Sequence, residues 1–80
     1  MDRLTILKEV TEVFIDVLDN EDIVLTDETQ AADVDDWDSL NHIQLVVGIE
    51  KHFKIRFTSK EIQSWKNVGE MITCIQEKGI

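Results

Sequence analysis

Apolar residues along this chain recur mostly every three or four positions, the spacing of helices, and rarely alternate as strands require. Leu4, Leu7, Val10, Phe14, Val17 and Leu18 fall on one side of a predicted helix over residues 4–18, with Lys8, Glu9, Glu12 and Asp16 opposite. Asp2 stands where an N-terminal cap would. Residues 19–38 break the pattern: nine of them are Asp or Glu, and Ile23, Val24, Leu25, Val34 and Trp37 keep no sustained period. A loop this long is uncommon in a small domain unless it has a function. Its scattered apolar residues predict that it is pinned to the core, with Ile23 to Leu25 as a candidate short strand.

A second helix is predicted from about Ser39 to His52, and it is apolar on two sides. Leu45, Ile49 and either His52 or Phe53 form one stripe, with Val46 beside it; Leu40, Ile43 and Val47 form another, offset from the first. Such a helix buries one side and offers the other to a ligand or a partner. Gly48 inside it costs roughly 1 kcal/mol relative to alanine, so a close helix contact is expected there. Thr58-Ser-Lys-Glu61 has the form of a capping box, opening a short helix through about Ser64. Asn67-Val-Gly-Glu70 caps a last helix through about Lys78, with Val68, Met71, Ile72 and Ile75 in helical register and Gly79 as its stop. The expected fold is all-α: three main helices, one short one, and a long loop between the first two.

Composition narrows the function classes. The 80 residues, 42% of them hydrophobic, make a single domain over 1–80 with an ordinary core. The one cysteine, Cys74, allows no internal disulfide and fits a reducing compartment, so a cytoplasmic location is expected. No apolar h-region follows Met1, so no secretory signal is expected, and no apolar run exceeds three residues, so no membrane span is expected. The net charge of -9 is unevenly placed: residues 9–50 hold thirteen Asp or Glu and no Lys or Arg, whereas residues 51–80 are net basic. An acidic front of this kind repels nucleic acid and favours basic protein surfaces.

Signs of catalysis are missing. His42 and His52 are separated by about 15 Å along one helix, too far to share a metal or a triad, and both read as surface histidines. No nucleophile elbow, phosphate-gripping glycine loop or H-E-x-x-H pattern occurs. A calcium loop begun at Asp33 would need a ligand fifth, glycine sixth and glutamate twelfth, where the chain has Trp37, Asp38 and Gln44. Cys74, near Glu70, Glu77 and Lys78, reads as a buried structural thiol, and Trp65 as core or rim. The informative segment is Trp37-Asp38-Ser39-Leu40, at the junction of loop and helix. By itself it is a helix start, with either Asp38 or Ser39 as the cap.

Asp36-Trp-Asp-Ser-Leu40, followed by Ile43-Gln-Leu-Val46, Ile49-Glu50 and Phe53-Lys-Ile-Arg-Phe57, resembles the acyl carrier protein family over nearly the whole chain. That resemblance implies a right-handed bundle of three main helices and one short one. It implies that Ser39 bears a covalent 4′-phosphopantetheine arm derived from coenzyme A, attached by a phosphopantetheinyl transferase, with Asp38 in support. It places partner docking on Leu40, Ile43 and Val47, with Asp35, Asp36 and Glu50 as acidic contacts for an acyl-activating ligase, acyltransferase or synthase. It also lets Leu40, Ile43 and Val47 border a cleft for the acyl chain. The implied molecule is a monomeric carrier, not an enzyme, with no resident metal. Asn41, Gln44, Lys51 and His52 fill much of the polar surface of this helix, which is richly acidic in housekeeping fatty-acid carriers, and Trp37 stands where those carriers commonly have a small residue, so a specialised carrier fits at least as well as a housekeeping one. An aminoacyl or peptidyl carrier and an unmodified acidic adaptor are the alternatives.

Overall fold

A computed structural model describes residues 2–34 and 37–79; Asp35 and Asp36, two of the expected docking acids, lie outside the described residues. Among the described residues four helices run in the order α1 Arg3–Leu18, α2 Ser39–Phe53, α3 Ser59–Ser64 and α4 Val68–Glu77, with a 3₁₀ turn at Ala31–Asp33. Their ends follow local chemistry. The Asp2 carboxylate accepts the Thr5 N–H at 2.8 Å, and Asp19 turns left-handed (φ 51°) to close α1. At α3 the Thr58 hydroxyl accepts the Glu61 N–H while the Glu61 carboxylate accepts the Thr58 N–H, the expected reciprocal box. Gly79, at φ 87°, follows α4 in the region that glycine enters without strain.

The core is a seam shared by α1, α2 and α4. Ile6, Val10 and Phe14 of α1, Leu45 and Ile49 of α2, and Val68, Met71, Ile72 and Ile75 of α4 are fully buried. A Cβ on Gly48 would stand 3.0 Å from Val13 Cγ1, so the missing side chain lets α1 and α2 approach, as the sequence suggested. Two expectations change. The buried side of α1 is set by Ile6, Val10, Val13 and Phe14, whereas Leu4 is 78% exposed. Apolar residues occur on more than one side of α1, and contact with α2 and α4 selects which stripe is covered. Leu4 and Leu7 instead border a shallow groove with Ile23, Val24 and Leu25.

Ile23 to Leu25 forms no strand. Ile23 and Leu25 are buried and Val24 is exposed, so burial alternates as in a strand, but among the described residues no strand lies alongside to pair with it. The loop is nevertheless tied down. The Thr29 carbonyl accepts the Val68 N–H at 2.9 Å and the Asp27 carbonyl accepts the Gly69 N–H at 2.8 Å. Asn67 Oδ1 takes the Glu70 N–H at 2.9 Å, so the first three amides of α4 all have partners. Arg3 completes the joint, donating to Thr73 Oγ1 at 2.8 Å and to the Gly69 carbonyl at 3.1 Å. The loop thereby delivers the chain to the start of α2 from a fixed direction.

Candidate functional site

The start of α2 is where exposed chemistry gathers. Asp38 is extended (φ -109°, ψ -176°) and its Oδ1 accepts the Asn41 N–H at 2.8 Å. The cap is therefore Asp38, not Ser39. Ser39, the first residue of α2, is exposed, and its hydroxyl has no partner among the described residues. The backbone amides of Ser39 and Leu40 also have none among the described residues, as expected of the first donors of a helix. A free hydroxyl beside free amides at the positive end of a helix suits a covalently attached anionic phosphodiester.

Beyond Ser39, the second apolar stripe of α2 is a surface ridge. Leu40 is 69% exposed, Ile43 64% and Val47 42%. Reading them as deeply buried core is excluded by these values, and the buried side of α2 is Leu45, Val46, Ile49 and Phe53. His52 is exposed and pairs with Glu9 at 2.7 Å, which settles the choice between it and Phe53 for the core stripe. Glu50 is half-buried, and its carboxylate accepts the Phe57 N–H at 2.8 Å, so it is partly committed to holding the turn after α2. Asp33 likewise holds the Gln30 N–H at 2.9 Å.

His42 departs from the surface histidine expected of it. It is half-buried, accepts the Trp37 Nε1–H at Nδ1 over 3.0 Å, and stacks on the Trp37 ring with the planes 17° apart. Burial pushes its pKa below the ordinary 6.5, favouring the neutral ring that this bond needs. Ala31, Trp37, Asp38, Ser39 and His42 line an open recess of about 430 Å³ beside the hydroxyl. The i, i+3 spacing of Ser39 and His42 in a helix was the available signal for this neighbour. What the sequence did not supply was the approach of Trp37 from the loop.

Cys74 is half-buried and donates to Glu61 Oε2 at 3.3 Å. Burial and the Glu61 carboxylate push its thiol pKa up, away from reactivity. Glu61 itself is held down to about 2 by the Lys78 ammonium at 2.7 Å and the Thr58 N–H. Trp65 is a rim residue, half-buried where α3 ends.

A family model described as the phosphopantetheine attachment site matches residues 8–75. The solution NMR structure of the holo acyl carrier protein from Geobacter metallireducens is similar with a TM-score of 0.84 and 46% identity, covering 90% of this chain and 83% of that one. The fold is that of an acyl carrier protein, and the class is a carrier rather than a catalyst. The chain belongs to the phosphopantetheine attachment-site family, and its cofactor is a covalently attached 4′-phosphopantetheine. No helix among the described residues is long and apolar enough to cross a membrane.

Proposed function

We propose that the arm is attached through Ser39 Oγ, and that this single carrier domain over 1–80 presents arm-bound acyl groups to enzymes of fatty acid, polyketide or related biosynthesis. The observation that supports the attachment point best is the division of labour at the helix start. Asp38 accepts the Asn41 amide, and the Ser39 hydroxyl has no partner among the described residues. When bound, the arm supplies a thiol that holds acyl groups as thioesters, and the protein's part is attachment and recognition. Asp38 fixes the backbone on which the hydroxyl stands. The amides of Ser39 and Leu40, without partners among the described residues, would be available to the phosphodiester of the arm. Leu40, Ile43 and Val47 form the docking ridge, with Glu50 further along α2 and Asp35 and Asp36 preceding the helix in sequence as its acidic contacts.

The partners are a phosphopantetheinyl transferase and transiently docking ligases, acyltransferases or synthases, met by a monomeric cytoplasmic carrier. Acidic residues before α2 govern encounter rate and partner selection more than affinity. Asn41 and Gln44 among the polar positions of α2 support a specialised carrier over a housekeeping one. An aminoacyl or peptidyl carrier of a non-ribosomal or D-alanylation type shares the same arm and differs in the enzyme that loads it. The unmodified adaptor is set aside, because the family is defined by the attached cofactor.

The test is intact mass after incubation of the apo protein with coenzyme A, magnesium and a broad-specificity phosphopantetheinyl transferase. One phosphopantetheinyl increment in the wild type and none in Ser39→Ala is the expected result. An increment that persists in Ser39→Ala places the arm elsewhere.

A further inference from the structure

A long saturated acyl group tethered to this protein gains stability for each methylene it removes from water, provided the bundle offers it an interior. A row of rings begins in the core and passes beside Ser39. Phe14, fully buried on α1, meets Trp37 edge-on with centroids 4.9 Å apart. Trp37 stacks on His42 at 6.0 Å, His42 meets Trp65 edge-on at 6.3 Å, and Trp65 meets Phe57 edge-on at 4.8 Å. Lys78 Nζ ends the row, 5.6 Å from the Phe57 centroid. These residues come from α1, the long loop, α2, the turn after α2, the end of α3 and the end of α4. The row therefore joins residues of every helix and of the long loop.

The row is bonded as well as packed. The Trp37 Nε1–H to His42 Nδ1 bond locks the two central rings together. Two further polar links, Lys78 to Glu61 at 2.7 Å and Cys74 to Glu61 at 3.3 Å, hold α3 against α4 where Trp65 emerges. The core that these rings join is already filled: Leu45, Ile49, Met71 and Ile72 are each 0% exposed. An alkyl chain entering from Ser39 would have to displace a ring, break the indole–imidazole bond and expose one of its partners. The recess beside Ser39, lined by Ala31, Trp37, Asp38, Ser39 and His42, is open to solvent and offers a long chain no enclosed interior.

We infer that the Trp37–His42–Trp65 row keeps the cargo outside the helical interior, so that this carrier is suited to short or polar acyl groups and not to long saturated chains. The inference rests on the carrier reading of Ser39. Apo protein is loaded by a broad-specificity transferase from acetyl-, hexanoyl- and dodecanoyl-coenzyme A, each product is verified by intact mass, and thermal unfolding and tryptophan emission are recorded. Both tryptophans of the chain lie in the row, so emission reports directly on its opening. The expected result is the same Tm for all three cargoes, within about 2 °C, and unchanged emission. A sheltered chain instead raises Tm by at least about 5 °C for every two methylenes buried. Such a rise in the wild type overturns the inference and leaves the carrier reading intact. Failure to load any of the three overturns the carrier reading itself. In Trp65→Ala the row is opened, and a length-dependent Tm is expected to appear; its absence in the folded variant overturns the row as the cause. Should that variant not fold, the wild-type series decides alone.

Discussion

Asp38 and Ser39 are adjacent, both exposed and both able to cap a helix, yet the structure gives the cap to Asp38 alone, and that assignment has a measurable consequence. In Asp38→Ala the Asn41 N–H loses its acceptor, a loss of about 1 kcal/mol for a typical cap. The favourable placement of a negative charge at the helix start is lost too, adding about 0.3–1 kcal/mol. The sum, about 1–2 kcal/mol, corresponds to a Tm lower by roughly 5–15 °C in a domain of this size. Asp38→Asn keeps the acceptor and loses only the charge, so about half of the stability loss is expected to return. Ser39→Ala removes a hydroxyl that bonds nothing among the described residues, and alanine is the better helix former, so its stability should stay within about 0.5 kcal/mol of wild type. The assay is equilibrium urea unfolding of the apo forms, their state checked by intact mass, with an unchanged slope as the sign that only stability moved. A Ser39→Ala variant that loses 1 kcal/mol while Asp38→Ala stays neutral refutes the assignment, since the hydroxyl would then be the cap.

Three further expectations follow from the packing. Gly69→Ala places a Cβ 2.8 Å from the Asp27 carbonyl oxygen, so despite alanine's helix preference it should destabilise by about 1–3 kcal/mol in urea unfolding, with loop and α4 amides exchanging faster. His42, held by burial below its ordinary 6.5, binds fewer protons folded than unfolded; the stability of its neutral form is complete above pH 6.5 and lost as pH falls from there through the lower folded value. The slope of stability against pH just below 6.5 should therefore flatten in His42→Gln, and an unchanged slope would assign it to another group. Leu40→Asp combined with Ile43→Asp should leave Tm nearly unchanged, because both residues are exposed, while slowing transfer of the arm by the transferase; equal rates would remove these residues from the docking surface.

Much of the architecture was legible because it is written in local rules. The Thr58–Glu61 box and the Asn67 cap form as spelled, and α2 begins at Ser39 as its junction implied. The exposed ridge was legible as well, since Leu40, Ile43 and Val47 fall off the stripe of Leu45 and Ile49. What required three dimensions was every choice between equivalent local options. Periodicity could not say that Ile6 and Val13, and not Leu4, would face α2 and α4. Alternation at Ile23 to Leu25 could not reveal that no strand lies alongside. The approach of Trp37 to His42 depends on a loop whose course is fixed by bonds to α4, far away in sequence.

The box at the start of α3 makes the molecule its own control. Ser59 stands first in its helix directly after the capping Thr58, and it is exposed, just as Ser39 follows the capping Asp38. Two serines thus share one local stage, but Ser59 is followed by Lys60 and Glu61 on a six-residue helix, whereas Ser39 opens onto the ridge of Leu40, Ile43 and Val47. A modifying enzyme that recognised only an accessible hydroxyl at a helix start would find a decoy within the same chain. Under the proposed attachment at Ser39, the enzyme would tell the two apart by their surroundings, and the exposed ridge of Leu40, Ile43 and Val47 is a feature that Ser59 lacks.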